Sequence, residues 1–521
     1  MDHHFTATPP ERFNFARHIL ETNRGRHARL AYIDDSQRLT YGELEDRVRR
    51  FAAGILALGL RPEERVLLAL HDTVDLPVAF LGSLLAGVIP VPVNTLLPVE
   101  DYAYMLDHSQ ARALLVSAPL QASLEQALTL AGRKIPVLVS GAGQEGNGAL
   151  PFASLLEAEP LAPESFADTY ADQFAFWLYS SGSTGRPKGT VHSHANLYWT
   201  AELYGKPVLG VREDDVVFSA AKLFFAYGLG NGLTFPLSVG ATTVLMAERP
   251  TPAAVFRRLV EHKPTIFYGV PTLYVAMLAA PELPAREQTA LRICTSAGEA
   301  LPREVGEKFK EHFGADILDG IGSTEMLHIF LSNHQGDIHY GATGKPVAGY
   351  EIELRDESGR PVPPGEVGDL YIRGPSAALL YWNNRDKSRA TFQGEWVRSG
   401  DKYVADEHGY YTYAGRSDDM LKVSGQYVSP IEVESALMAH AAVLECAVVG
   451  KPDSDGLVKT VAYVVLRSGQ LPGAALEADL KTFVKGRLTP HKYPREIHFT
   501  SDLPKTATGK IQRFKLRAIQ G

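Results

Sequence analysis

Apolar and polar positions alternate along this chain in two rhythms that take turns. Between residues 41 and 138, helical patterns such as YGELEDRVRRFAAGILALG (41–59) are separated by short apolar runs: RVLLAL, ALLVS and PVLVS. That alternation predicts the βα rhythm of a largely parallel sheet. Leu76 to Val99 holds 24 uncharged residues, long enough to raise the question of a membrane span. Pro77, Pro90, Pro92 and Pro98 oppose it, because proline breaks both a helix and continuous apolar packing. The better reading is a buried helix (LPVAFLGSLLAG) that stops at Gly87 and runs into a buried strand (VIPVPVN).

Polar excursions around residues 140–173 precede a second α/β series, in which TVLMA, TIFYGVP, RICTSAGEA and ADILDGIGSTE each read as strand followed by loop. Residues 345–416 change character: EIELRD, GDLYIRG and YYTYAG alternate as strands of a small β-rich unit. Past Arg416, AVLECAVVG and KTVAYVVLRSG predict two strands joined by a turn containing Pro452, Asp453 and Gly456. The helix ALEADLKTFVKGRL and the strand REIHF follow. The expected fold is α/β: a large N-terminal domain (1–417) of α/β sheets plus the β-rich unit, and a mobile α+β C-terminal domain (418–521).

Composition narrows the function classes. At 521 residues, with 45% hydrophobic and 21% charged residues, the chain reads as globular rather than disordered. Its formal charge of −8 disfavours nucleic acid as a partner, which needs a basic face. Two cysteines, Cys294 and Cys446, are too few and too far apart for a disulfide framework or a zinc site. No secretory signal is visible in MDHHFTATPPERFNFARH. A cytoplasmic protein without a membrane partner is expected, monomer or homodimer.

The candidate chemistry starts at YSSGSTGRPKGTVHSH (179–194). Small residues that admit backbone N–H groups, hydroxyl donors and a cation are the makings of a phosphate cradle. The Walker form is excluded, since Gly182 and Gly185 are too close and Lys188 follows Pro187 rather than a glycine. Further along come IGSTE (321–325), SGDKY (399–403), YAGRSDDMLKVSGQYVSPIEVE (413–434) and PKTATGKIQR (504–513). With these five ordered motifs the chain resembles, over nearly its whole length, the acyl-adenylate-forming enzymes: acyl-CoA synthetases, luciferases and peptide-synthetase adenylation domains. FFAYGLGNGLTFP and IGSTEMLHIFLSN are similar, more narrowly, to benzoate–CoA ligases.

The resemblance implies roles for particular residues. Ser180, Ser181, Gly182, Ser183, Thr184, Gly185 and Lys188 would hold the β- and γ-phosphates of ATP while a carboxylate attacks the α-phosphorus and pyrophosphate leaves. Glu325 is the implied Mg2+ ligand, a hard carboxylate for a hard ion, with Thr184 near the metal. Asp401 and Arg416 match the ribose contacts. Ala297, Gly298, Glu299 and the run Asp319, Gly320, Ile321, Gly322, Ser323, Thr324 would complete the nucleotide site. Ile321 departs from the family, which usually has an aromatic there to stack on adenine.

Lys510 matches the lysine that bridges substrate carboxylate and α-phosphate. Phe225, Ala226, Tyr227, Gly320, His328 and Ile329 are expected to wall a short, flat acyl pocket, since aromatic faces among small residues suit a planar ring. Many relatives carry histidine where Phe225 stands. The resemblance also implies a pivot at Asp418 that withdraws Lys510 and brings in Ser424, Gly425 and Gln426, with Gly425 lining a tunnel for coenzyme A. His192 and His194 form an H-x-H pair without an apparent third ligand and read as structural residues behind the loop.

The expected reaction joins an aromatic carboxylate, benzoate or a substituted benzoate such as 2-aminobenzoate, to CoA through an acyl-adenylate. Two rivals differ in kind. One loads a carrier-protein thiol, although no carrier domain follows Gly521. The other is a non-catalytic adenylate sensor, which would not need Lys510, Glu325 and Asp401 together.

Overall fold

A computed structural model describes residues 7–141, 148–180, 186–416, 420–423, 426–452, 458–488, 492–505 and 511–519. The predicted βα rhythm produces a five-stranded parallel sheet with Arg65–Ala69 between Ile89–Pro92 and Ala113–Ser117, continued by Val137–Ser140 and Leu150–Pro151. Its last strand comes from the stretch expected to be a polar excursion. Leu150 and Pro151 are exposed, so no apolar pattern marks them as a strand.

The helix Tyr41–Ala57 begins where its sequence says it should. The Thr40 hydroxyl accepts from the Glu43 N–H, and the Glu43 carboxylate accepts from the Thr40 N–H, a reciprocal cap that satisfies two orphan donors. The helix Asp75–Leu85 and the strand Ile89–Pro92 are buried almost throughout. That burial accounts for the long apolar run without a bilayer. Among the described residues no helix is long and apolar enough to cross a membrane.

The second α/β series forms a nine-stranded sheet. Its parallel centre runs Asp316–Gly322, Ile293–Ser296, Ile266–Gly269, Val216–Ser219, Thr242–Val244, Leu30–Ile33. Residues 351–416 add an antiparallel sheet whose long strand Trp396–Ala405 pairs with both Val367–Arg373 and Tyr411–Arg416. Beyond it lie a hairpin (Leu421–Val423 with Gln426–Val428), the helix Pro430–Met438, and a three-stranded sheet of Val443–Pro452, Val458–Leu466 and Glu496–Phe499. Large N-terminal α/β sheets, a β-rich unit and a C-terminal α+β part are therefore all present.

Two helices widen into π turns, one at its C-terminal end and one in its middle. Ala201–Gly205 follows His194–Thr200, and Gly230–Thr234 lies between Ala226–Leu229 and Phe235–Val239. Both turns converge on His328: the ring of Tyr204 is 5.3 Å from it, and that of Phe235 is 4.5 Å away, edge-on. π turns inside α-helices concentrate at functional sites.

Candidate active site

The loop-bearing motif opens on a strand, Phe174–Ser180, and closes on its antiparallel partner, Lys188–Ser193. The register sets Ser180 opposite Lys188 and Tyr179 opposite Gly189. Ser181, Gly182, Ser183, Thr184 and Gly185 lie outside the described residues. At the loop's foot, Lys188 Nζ stands 3.6 Å from Glu325 Oε1 and 3.2 Å from the Tyr381 hydroxyl. Tyr381 donates to Glu325 Oε1 at 2.6 Å, and Ser180 Oγ is 3.5 Å from the same oxygen.

Sequence reasoning had not singled out Tyr381. It arrives through the two-residue strand Leu380–Tyr381, which pairs with Lys188–Ser193. The apolar run LLYW hints at a strand, but nothing in it names the partner. Burial pushes the Glu325 carboxyl up, yet the Lys188 charge and the Tyr381 hydrogen bond outweigh it and hold the group below its ordinary range. Burial draws Lys188 down, partly offset by Glu325. The result is an ionised carboxylate beside a cation.

The turn that carries Glu325 is tethered from behind. His192 Nε2–H donates to the Thr324 carbonyl at 2.8 Å, while its Nδ1 accepts from Asn196 Nδ2 at 2.9 Å. Burial pushes this imidazole down to about 4, so it is neutral with both nitrogens engaged in the protein. His194 Nδ1 accepts from the Phe15 N–H at 3.3 Å. The pair is structural, as its sequence context suggested.

Of the expected nucleotide residues, Asp401 and Arg416 face each other across an antiparallel register, Nη1 to Oδ1 at 3.1 Å. Arg416 is close enough for its charge to bear on Lys188 and Tyr381. The strand Asp316–Gly322 carries Asp319, Gly320, Ile321 and Gly322, with Asp319 in register with Ser296. Asp319 is buried, its carboxyl well above the ordinary range because of that burial. Ser323 Oγ accepts from the Met326 N–H at 3.1 Å and closes the turn before Glu325. Ala297, Gly298 and Glu299 follow the neighbouring strand Ile293–Ser296, with Gly298 at φ +96°.

Among the expected acyl residues, Tyr227 packs with His328 and Ile329 with Gly320. Phe225 caps the helix that begins at Ala226, and its ring lies 4.6 Å from that of Phe224. Tyr227 is hydrogen-bonded through its hydroxyl to Thr295 Oγ1, and its ring is 5.5 Å from His328. His328 Nε2–H is shared between Asn231 Oδ1 (3.1 Å) and the Tyr227 carbonyl (3.3 Å). Gly230 makes room for this ring, since a Cβ there would sit 2.2 Å from His328 Cδ2. Burial pushes the His328 imidazole down to about 3. Ile329 packs against Gly320, whose Cβ would come 3.0 Å from it.

Lys510, Asp418, Ser424 and Gly425 lie outside the described residues. Gln426 starts the second strand of the hairpin, opposite Val423.

The structure thus holds a cation beside an ionised carboxylate at a hairpin foot, a paired Asp401 and Arg416, and an aromatic cluster around His328, at the positions from which nucleotide and acyl binding are expected. The chain belongs to the AMP-binding enzyme family: that family's profile matches residues 19–382, and the AMP-binding enzyme C-terminal domain matches residues 432–510. Among individual proteins, it is 58% identical to a benzoate–CoA ligase of Thauera aromatica over 98% of this chain and 96% of the relative. A benzoate CoA ligase from Burkholderia xenovorans LB400 superposes with a TM-score of 0.91 at 64% identity, covering 97% of this chain and all of that one. An anthranilate CoA ligase solved with anthranoyl-AMP superposes at 0.93 with 42% identity, covering 98% of each.

Proposed function

We propose that this chain is an AMP-forming benzoate–CoA ligase. Benzoate and ATP give benzoyl-adenylate and pyrophosphate; the CoA thiol then displaces AMP and leaves benzoyl-CoA. The observation that carries the reading is one juxtaposition: Glu325, which meets Lys188 and Tyr381, and His328, which packs on Tyr227, belong to one turn, three residues apart. The proposed phosphate-handling group and the proposed aromatic wall of the acid site thereby share one short segment.

Both nucleophile and target are anionic, so positioned cations and donors supply most of the rate. In the proposed first step Lys188 and the loop 180–185 take the β- and γ-phosphates, Asp401 and Arg416 hold the ribose, and Lys510 bridges the attacking carboxylate and the α-phosphate. Glu325 fits a Mg2+ ion, being ionised and beside other oxygen donors, and with Thr184 it would hold the ion that neutralises phosphate charge. In the second step the segment after Asp418 turns, Lys510 withdraws, and Ser424, Gly425 and Gln426 line the approach of CoA. The domains meet at 417/418 in this scheme, and the enzyme works in the cytoplasm as a monomer or homodimer.

A second substrate, 2-aminobenzoate, is favoured by one detail. Among the described residues His328 Nδ1 is buried without a hydrogen-bond partner, and with the proton on Nε2 it is left as an acceptor. An amino group on the ring would satisfy it.

The test is a panel of carboxylic acids assayed for AMP and thioester formation with CoA. Benzoate and 2-aminobenzoate should exceed acetate and decanoate in kcat/KM. Acetate forfeits roughly 25 cal/mol per Å2 of ring surface, and a long chain overpacks the far wall at about 1–3 kcal/mol. Preference for acetate or decanoate would refute the aromatic pocket. Pyrophosphate release without thioester would point to another acceptor.

A further inference from the structure

A buried carboxylate stands outside the pocket wall and takes no part in the chemistry above. Asp72 follows the strand Arg65–Ala69 and is 3% exposed. Both of its oxygens lie 3.2 Å from the backbone N–H of Leu223, in the turn 219–225 that leads into Phe225 and Ala226. The carboxylate thus reaches from the five-stranded sheet to a turn that leaves the nine-stranded one.

The turn has little slack of its own. Ser219 Oγ donates to the Ala221 carbonyl at 2.9 Å, and the Phe225 N–H donates to the Lys222 carbonyl at 3.0 Å. Gly228 backs onto that same carbonyl, where a Cβ would come within 2.0 Å. The Lys222 side chain extends to the carbonyls of Met246 and Glu248, the latter at 2.7 Å. Moving Leu223 therefore moves Phe225, because the residues between are tied to one another.

A neutral side chain would satisfy one N–H without burying a charge. Burial pushes the Asp72 carboxyl up to about 6, with the Lys222 charge and the Leu223 N–H offsetting part of that cost. Buried charge is expensive, while hydrogen bonds to an ionised acceptor are roughly twice as strong as neutral ones. Such a trade is expected where position matters more than stability.

We infer that Asp72 is a positioning residue of the acyl site, its carboxylate holding the 219–225 turn through Leu223 and so setting where Phe225 and Ala226 stand against the ring of the bound acid. The inference rests on the acyl-pocket reading above. The charged and titratable groups around the carboxylate are Lys222 on the turn and His71 beside it in the chain, with Arg258, Glu248 and Asp35 acting on Lys222 from behind.

The test is benzoate-driven ATP–pyrophosphate exchange on the full chain, with KM for benzoate and for ATP measured separately from pH 5.5 to 8. Asp72→Ala should raise the benzoate KM about tenfold, the effect of one charge-assisted hydrogen bond, and leave the ATP KM within about twofold of wild type. Asp72→Asn should fall between the two. Its benzoate KM should be flat with pH, whereas the wild-type value should climb as pH falls through about 6. His71→Gln should keep that climb, which excludes the neighbouring imidazole as its source.

Equal rises in both KM values would overturn the inference, as would the same pH dependence in Asp72→Asn and wild type. If Asp72→Ala does not fold, the pH-flat KM of Asp72→Asn decides alone. Wild type inert with benzoate but active with another acid would refute the benzoate reading, and the same comparisons made with that acid would then decide the role of Asp72.

Discussion

Tyr381 donates its phenol hydrogen to Glu325 Oε1 across 2.6 Å, although the two residues are 56 apart in the chain. The pairing of Leu380–Tyr381 with Lys188–Ser193 makes the contact, so the strand that follows the proposed phosphate loop also orients the proposed magnesium ligand. Tyr381→Phe removes one hydrogen bond to a charged group, worth about 1.5–3 kcal/mol. The expected result is a fall of about tenfold or more in kcat/KM for MgATP. Thioester formation from supplied benzoyl-adenylate should be unchanged, and equal loss in both half-reactions would argue for general damage.

Lys510→Ala should divide the half-reactions more sharply. Losing one positioned cation at developing charge costs on the order of 10²–10³ in rate, roughly 3–4 kcal/mol. Pyrophosphate exchange should show that loss, while CoA transfer from supplied adenylate stays within a few-fold of wild type. A matching loss in CoA transfer would end the two-conformation scheme.

Acid should unfold this protein through its buried imidazoles. His192 is pushed down to about 4, and His194 and His328 to about 3, each by burial. An unfolded histidine titrates near 6.5. Below that pH the unfolded chain binds protons that the folded chain refuses, so stability present at pH 7 is lost as pH falls toward 4. Three groups give a slope of up to about 4 kcal/mol per pH unit. Asp72, raised to about 6, and the buried Asp319, raised further, work in the opposite sense between those values and about pH 3.9 and remove part of the slope. Melting temperatures from pH 7 to 4.5 should fall steeply, less so in His194→Asn, and a flat profile would contradict the buried neutral state.

Gly230→Ala should injure the acyl site in particular. The new methyl would meet His328 Cδ2 at 2.2 Å, and the ring is held on that side by Asn231 and Tyr227. Overpacking of this kind costs typically 1–3 kcal/mol. The variant should melt lower and show a raised benzoate KM with a nearly unchanged ATP KM. A change in ATP KM alone would move Gly230 out of the acyl wall.

How legible the site was depends on where each residue's partner lies in the chain. The helix Tyr41–Ala57 was readable because its periodicity is local. Asp401 and Arg416 were readable as motif residues, and their register pairing follows from two adjacent strands of one meander. Tyr381 was not readable, because it acts on Glu325 by way of a strand pairing with residues about 190 positions earlier. Leu150–Pro151 joins a sheet at its edge without an apolar face to announce it. Asp72 lies three residues past a strand with no motif around it, and only the fold carries Leu223 to it.

The π turn at Gly230–Thr234 makes the pocket sensitive to residue count as well as residue type. A straight α-helix advances about 100° per residue. The π turn takes up one residue more than an α-helical turn, so it already absorbs that advance and the segments on either side keep their faces. Deleting one residue would restore ordinary winding with Ala226, Tyr227 and Phe235 facing as before, but would remove the widening that brings Gly230 and Asn231 against His328. A single-codon deletion here would thus loosen the seat of one imidazole while the rest of the helix kept its place.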